Sequence, residues 1–166
     1  IKHTKTASLE IEPTDEYKNI KKSHETRTDY VKKAMDRTAK RKLYDDSIKI
    51  ACELKQMKVK IANEISLALK RNELSSEEVL ALAKVANDRD LAEVYTNTLK
   101  KTLSIREGRK VQINQTKFEK FASKLENGDS NKDSVHIKSM QMFLKKKEQL
   151  DNIINEYDNT GEKNEK

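Results

Sequence analysis

The sequence predicts an all-α fold of elongated amphipathic helices that pair as a helical hairpin or bundle with coiled-coil-like packing. Three observations carry this. Apolar residues recur at steps of three and four along most of the chain; residues that cap or stop helices separate these runs; and no stretch alternates apolar and polar residues as a half-buried strand would. Charged residues make up 38% of the chain and hydrophobic ones 34%, with three Gly, one Pro and no Trp. That leaves little material for a thick core and few turn residues for strands.

Residues 1–14 are polar and aperiodic and hold the only proline, Pro13, which predicts a flexible lead-in. Thr14 or Asp15 can cap a first helix to about Lys42, with Tyr17, Ile20, His24, Val31 and Met35 on one side. So thin a stripe makes this the helix expected to be exposed, or ordered only against a partner. From Leu43 to Lys70, a second helix carries Ile50, Leu54, Met57, Ile61, Ile65 and Ala68 at alternating steps, the seam of a helix made for another helix. Asn72 marks its end.

The central stretch, about 75–105, reads as a helical hairpin within a helical region spanning 15–126. Ser75 and Glu78 have the spacing of a capping box, in which a hydroxyl and a carboxylate each satisfy an orphan amide at a helix start. Val79, Leu82, Ala83 and Ala86 form the short stripe of the first arm. Asn87 or Asp88 can cap the second arm, whose apolar side is Leu91, Val94, Tyr95, Thr98, Thr102 and Ile105. Gly108 is expected to kink or end that helix, at about 1 kcal/mol relative to Ala. A further stripe of Val111, Phe118, Phe121 and Leu125 follows, with Lys110, Lys117, Lys120 and Lys124 beside it.

Asn127-Gly128 is a helix stop, and 127–133 is expected as a loop. Asp133 or Ser134 then caps a C-terminal helix over 134–158 with Met140, Phe143, Lys147, Leu150, Ile154 and Tyr157 in heptad register. Lys145-Lys146-Lys147 interrupts this register, so the seam is either short or paired with an acidic neighbour. Residues 159–166 read as a polar tail.

The net charge of +7 is unevenly spread. Tyr17 to Lys42 holds ten basic residues against three acidic ones, and Lys100 to Lys124 eight against two, while Leu43 to Leu99 has eight against ten. Two basic belts around a nearly neutral middle point to an anionic polymer or surface as partner. The candidate nucleic-acid contacts are Lys18, Lys21, Lys22, Arg27, Lys32, Lys33, Arg37, Lys40, Arg41 and Lys42 in the first belt, and Lys100, Lys101, Arg106, Arg109 and Lys110 in the second. Lys18, Lys21, Lys22 and Arg27 are expected to line one side of the first helix. No zinc finger, stacking motif or helix-turn-helix is recognisable, so contact with double-stranded DNA is expected at the backbone rather than the bases.

Catalytic chemistry finds no foothold. Gly108, Gly128 and Gly161 lie too far apart for a phosphate loop. His3, His24 and His136 have no second His or Cys at ligand spacing. His24-Glu25 and Asp45-Asp46 are adjacent pairs that diverge around a helix. No enzyme activity, cofactor or metal is expected. Cys52 stands alone on what reads as an apolar face with Ile48 and Leu54, which predicts a reduced, packed cysteine and a cytoplasmic setting. No run reaches the roughly 18 apolar residues of a membrane span, no signal peptide is visible, and no membrane partner is expected.

Five seams and so few apolar residues predict a homo-oligomer, with Leu91, Val94, Tyr95 and Leu99 as its interface. The central residues also resemble a known family. Leu82-Ala83-Lys84-Val85-Ala86, a polar turn with Arg89, Glu93-Val94-Tyr95, and then Arg106-Glu107 look like the middle region of small terminase subunits of tailed bacteriophages; Asp15-Glu16-Tyr17 before Lys21-Lys22 is similar to a stretch preceding it. The turn lacks the proline frequent in that branch, and the helix at Leu43 to Lys70 separates the two similar pieces. The resemblance implies a DNA-binding ring or stack that regulates a large packaging subunit in the host cytoplasm. The rival reading is a helical virion, scaffold or adaptor protein whose lysines meet an acidic protein partner.

Overall fold

The computed structural model describes residues 14–103, 112–128 and 134–162. Among them are five helices and no strand: α1 (Asp15–Lys70), α2 (Ser76–Ala86), α3 (Arg89–Thr102), α4 (Gln115–Glu126) and α5 (Val135–Glu162). The lead-in before Thr14, Ile105, the expected kink at Gly108, Val111 and Asp133 lie outside the described residues.

The expected break at Lys42 does not occur. α1 runs through it because no Gly or Pro falls between Asp15 and Lys70, and Arg41, Lys42 and Leu43 are all good helix formers. What changes there is packing. The chain divides into two units, Ile1–Lys42 and Leu43–Lys166. In the first, nearly every described side chain is exposed, including Ile20, Tyr30, Val31 and Met35.

In the second unit, the expected seam of α1 is the core. Leu54, Ile61, Ile65, Ala68 and Leu69 are buried, and Ile50 and Met57 are packed against them. Asn72 ends the helix in the left-handed region, φ 56°, where Asn is tolerated better than most residues. The Glu73 amide turns back to donate to the Ala68 carbonyl at 2.9 Å. Ser75 then forms the capping box of α2: its hydroxyl accepts from the Glu78 amide at 3.3 Å, and its own amide donates to the Glu78 carboxylate at 2.8 Å.

α2 buries Val79, Ala81, Leu82 and Ala86 and packs on both α3 and α4. Both candidate turn residues act, in different roles. Asn87, at φ 45°, closes α2, while the Asp88 carboxylate caps α3 by accepting from the Leu91 amide at 3.1 Å. α3 buries Leu91, Tyr95, Thr98 and Leu99, and the Thr102 hydroxyl donates to that of Ser66 in α1 at 3.1 Å.

Asn114 caps α4 through the Lys117 amide and donates its own amide to Glu77 of α2 at 3.1 Å. α5 inserts Ile137, Met140 and Phe143 into the core and holds α1 through Ser139 to Glu64 at 3.0 Å and Lys146 to Glu53 at 2.6 Å. Its seam is short: Leu150 is half-buried, but Ile154 and Tyr157 are exposed. The helix runs on through the start of the expected tail to Glu162.

Two expectations about packing are corrected here. Cys52 is exposed, because two and nine residues of helical rotation set it on the opposite side of α1 from Leu54 and Ile61. Ile48, at 46% exposure, shares that outer side. The proposed oligomer interface is also spent within the chain. Leu91, Tyr95 and Leu99 are buried in the core, with Val94 packed against it, because α1, α2 and α5 supply the cover that a second copy was expected to give.

Candidate nucleic-acid interface

The first basic belt lies on α1. At about 100° of rotation per residue, Lys18, Lys21, Lys22, Lys32, Lys33 and Lys40 fall within about 120° of helix circumference, with Arg37 about 40° and Arg41 about 80° past one edge. Arg27 and Lys42 do not join them. They lie around the other side, Arg27 beside the arc of Ile20, Val31 and Met35 and Lys42 within it. The expected grouping of Lys18, Lys21, Lys22 and Arg27 is therefore corrected to the three lysines alone.

The lysine arc also carries Asp15, Glu25, Asp29 and Asp36, so its charge alternates. Lys18 pairs with Asp15 at 3.7 Å across two exposed side chains, a pair worth little in water. Thr26, Thr28 and Thr38 turn their hydroxyls back to carbonyls four residues earlier and leave the lysines as the reaching groups.

In the second belt, Lys100 and Lys101 are exposed near the end of α3. Lys101 lines an open groove of about 460 Å³ between α1 and α3, with Lys58, Asn63, Asp90, Asn97 and Thr98. Ala62 and Val94 add apolar groups to this lining, but it holds no aromatic side chain on which a base could stack. Arg106, Arg109 and Lys110 lie outside the described residues, as does the Arg106-Glu107 pair of the family resemblance.

α4 carries the end of the second belt, three lysines that the candidate contacts do not include. Lys117, Lys120 and Lys124 share one exposed face, within about 60° of arc. Their spacing of three and four residues was the available signal. Between α5 and the hairpin, by contrast, the lysines are structural. Lys147 pairs with Asp88, and also with Asp90 at 3.7 Å, while Lys58 of α1 pairs with Asp90 at 3.2 Å. The acidic neighbour expected for Lys145-Lys146-Lys147 thus includes Asp88 and Asp90 for Lys147 and Glu53 for Lys146.

Among the described residues no group of three or more His, Cys, Asp or Glu could hold a metal ion, and no helix is long and apolar enough to cross a membrane. Compared with known families, curated proteins and solved structures, the chain matches none.

Proposed function

We propose that this is a non-catalytic helical protein that binds the phosphate backbone of double-stranded DNA through the lysine arc of α1. The observation that carries this reading is the exposure of Lys18, Lys21, Lys22, Lys32 and Lys33 on one side of a helix that buries almost nothing in its own unit. Exposed ammonium groups suit a sequence-independent contact, because each keeps much of its hydration while displacing a condensed counterion. We extend the reading to duplex DNA and not to packaging, since the hairpin that resembles small terminase subunits turns Leu91, Tyr95 and Leu99 inward.

Titration of a labelled duplex with the full chain, beside Lys21→Glu, Lys22→Glu, Lys40→Glu and Arg41→Glu combined, tests it. Loss of binding in the variant, with helicity retained, supports the α1 arc; equal binding removes it.

A second reading has its own observation. Ile20, Val31 and Met35 are 69%, 54% and 68% exposed on a face that Arg27 borders and Lys42 shares. An acidic amphipathic helix would cover the apolar groups and pair with those two cations, making the chain a scaffold or adaptor. This stripe is also one of the exposed apolar surfaces open to self-association, along with residues such as Leu67 and Met142.

A further inference from the structure

We infer that the Lys117, Lys120 and Lys124 face of α4, above the groove it forms with the turn between α1 and α2, is a second contact for the DNA phosphate backbone. It rests on the reading of the chain as a duplex-binding protein, but it uses a different unit and different side chains from the α1 arc.

Charge segregation distinguishes this face. On α1 the lysines alternate with carboxylates, whereas on α4 the two acidic residues, Glu119 and Glu126, lie on the side away from the three lysines. Both acids are also engaged: Glu119 accepts from Gln115 at 2.8 Å, and Glu126 pairs with Lys84 at 4.0 Å. Among the described residues no ion pair ends on Lys117, Lys120 or Lys124.

The groove beneath them, about 540 Å³, is also lined by Glu73, Glu78 and Phe121. Its carboxylates have partners. Glu78 is held by the Ser75 amide in the capping box, and Glu73 lies 3.9 Å from Arg71. Nearby, the Asn114 amide holds the Glu77 carboxyl below its ordinary pKa, with Lys117 adding to the effect. Three ammonium groups thus face two carboxylates across an open groove, which leaves its lining net positive.

The ridge from Lys117 to Lys124 is about 10 Å long. One strand of B-DNA advances about 3.4 Å per phosphate, so this ridge matches about three phosphates. α4 presents it in a fixed orientation, since Asn114 caps the helix and Ala122 is buried against the rest of the unit. Such a surface needs no fit to a particular base, and it would add to the α1 contacts within one chain as tethered sites do.

The test uses the full chain and a 20-base-pair duplex, with affinity measured across a salt series for wild type, for Lys117→Gln, Lys120→Gln and Lys124→Gln combined, for the corresponding triple Arg variant, and for the α1 charge reversal. The Gln variant is expected to bind on the order of tenfold more weakly, with a salt slope reduced by about 2 to 3, and the Arg variant to bind as wild type does. Unchanged affinity and slope in the Gln variant overturn the α4 contact and leave the α1 reading intact. Weakening by the Gln variant but not by the α1 reversal upholds α4 and removes α1. Failure of the wild type to bind at low salt overturns both, as does equal competition by polyglutamate at matched charge.

Discussion

Lys147 of α5 donates to the Asp88 carboxylate that caps α3, so one carboxylate ends a turn and fastens the hairpin to another helix. The Asp88 side chain is only 11% exposed, which makes loss of either partner expensive. Asp88→Ala removes the cap and the pair together and is expected to cost about 1–2 kcal/mol. Lys147→Met leaves Asp88 partly buried without its ammonium and is expected to cost about 1–3 kcal/mol. Chemical denaturation of the two variants checks both values; a change below about 0.5 kcal/mol in each would show that the pair does not fasten the hairpin.

The same pair sets a pH dependence. Burial raises the Asp88 carboxyl, but the Lys147 ammonium and the Leu91 and Asp90 amides outweigh it and hold the group below its ordinary pKa. Its stabilisation is therefore present above the unfolded value of about 3.9 and is lost as pH falls through the lower folded value. Lys147 is raised by its hydrogen bond to Asp88, so its share is present below about 10.4 and lost as pH rises through the higher folded value. Melting temperatures of Asp88→Asn are expected to fall less than those of wild type at both extremes. Parallel acid and alkaline profiles would contradict the assignment.

Tyr95 gives a prediction of opposite sign. It is fully buried, and its hydroxyl has no hydrogen-bond partner among the described residues. Burial, with Glu64 adding to it, pushes the phenol up to about 12. Tyr95→Phe removes an unmet donor, whose burial costs about 1–3 kcal/mol, and is expected to leave stability unchanged or raised. Above about pH 10 the unfolded chain ionises Tyr95 before the folded one does, so wild-type stability should fall as pH climbs toward the folded value and the variant should escape this loss. A loss of more than about 1 kcal/mol in Tyr95→Phe at neutral pH would reveal a partner for the hydroxyl.

Leu54 and Cys52 separate the two sides of α1. Leu54 is 7% exposed whereas Cys52 faces solvent. Leu54→Asp is expected to cost several kcal/mol, because the carboxylate would lose hydration without gaining a partner, while Cys52→Ser should fall within about 0.5 kcal/mol of wild type. Thiol labelling of the folded protein should be fast. A protected thiol would place Cys52 inside.

The helix ends were legible in the sequence because local chemistry fixes them. Ser75 with Glu78, Asn72, Asp88 and Gly128 act where their side chains or left-handed propensity predict. The seam from Leu54 to Ala68 was legible from periodicity alone. What covers a seam was not. Nothing local says whether Leu91, Tyr95 and Leu99 meet α1 and α5 or a second copy, since both satisfy the same apolar spacing. Cys52 was misplaced because Ile48 and Cys52 sit at helical spacing that belongs to the outer face, and the rotation relative to Leu54 and Ile61 is what reveals it. In the candidate interface, the lysines could be counted along the chain, but their sorting from Glu25, Asp29 and Asp36 on α1, and from Glu119 and Glu126 on α4, depends on helix rotation.

The most direct measurement of the central claim is the salt dependence of full-chain binding to duplex DNA of unrelated sequences. Backbone contact through exposed lysines predicts equal affinities across sequences and a linear fall of log K with log salt, at about −0.9 per phosphate neutralised, with a slope of several units. No binding at low salt, or binding that salt leaves unchanged, would contradict the account.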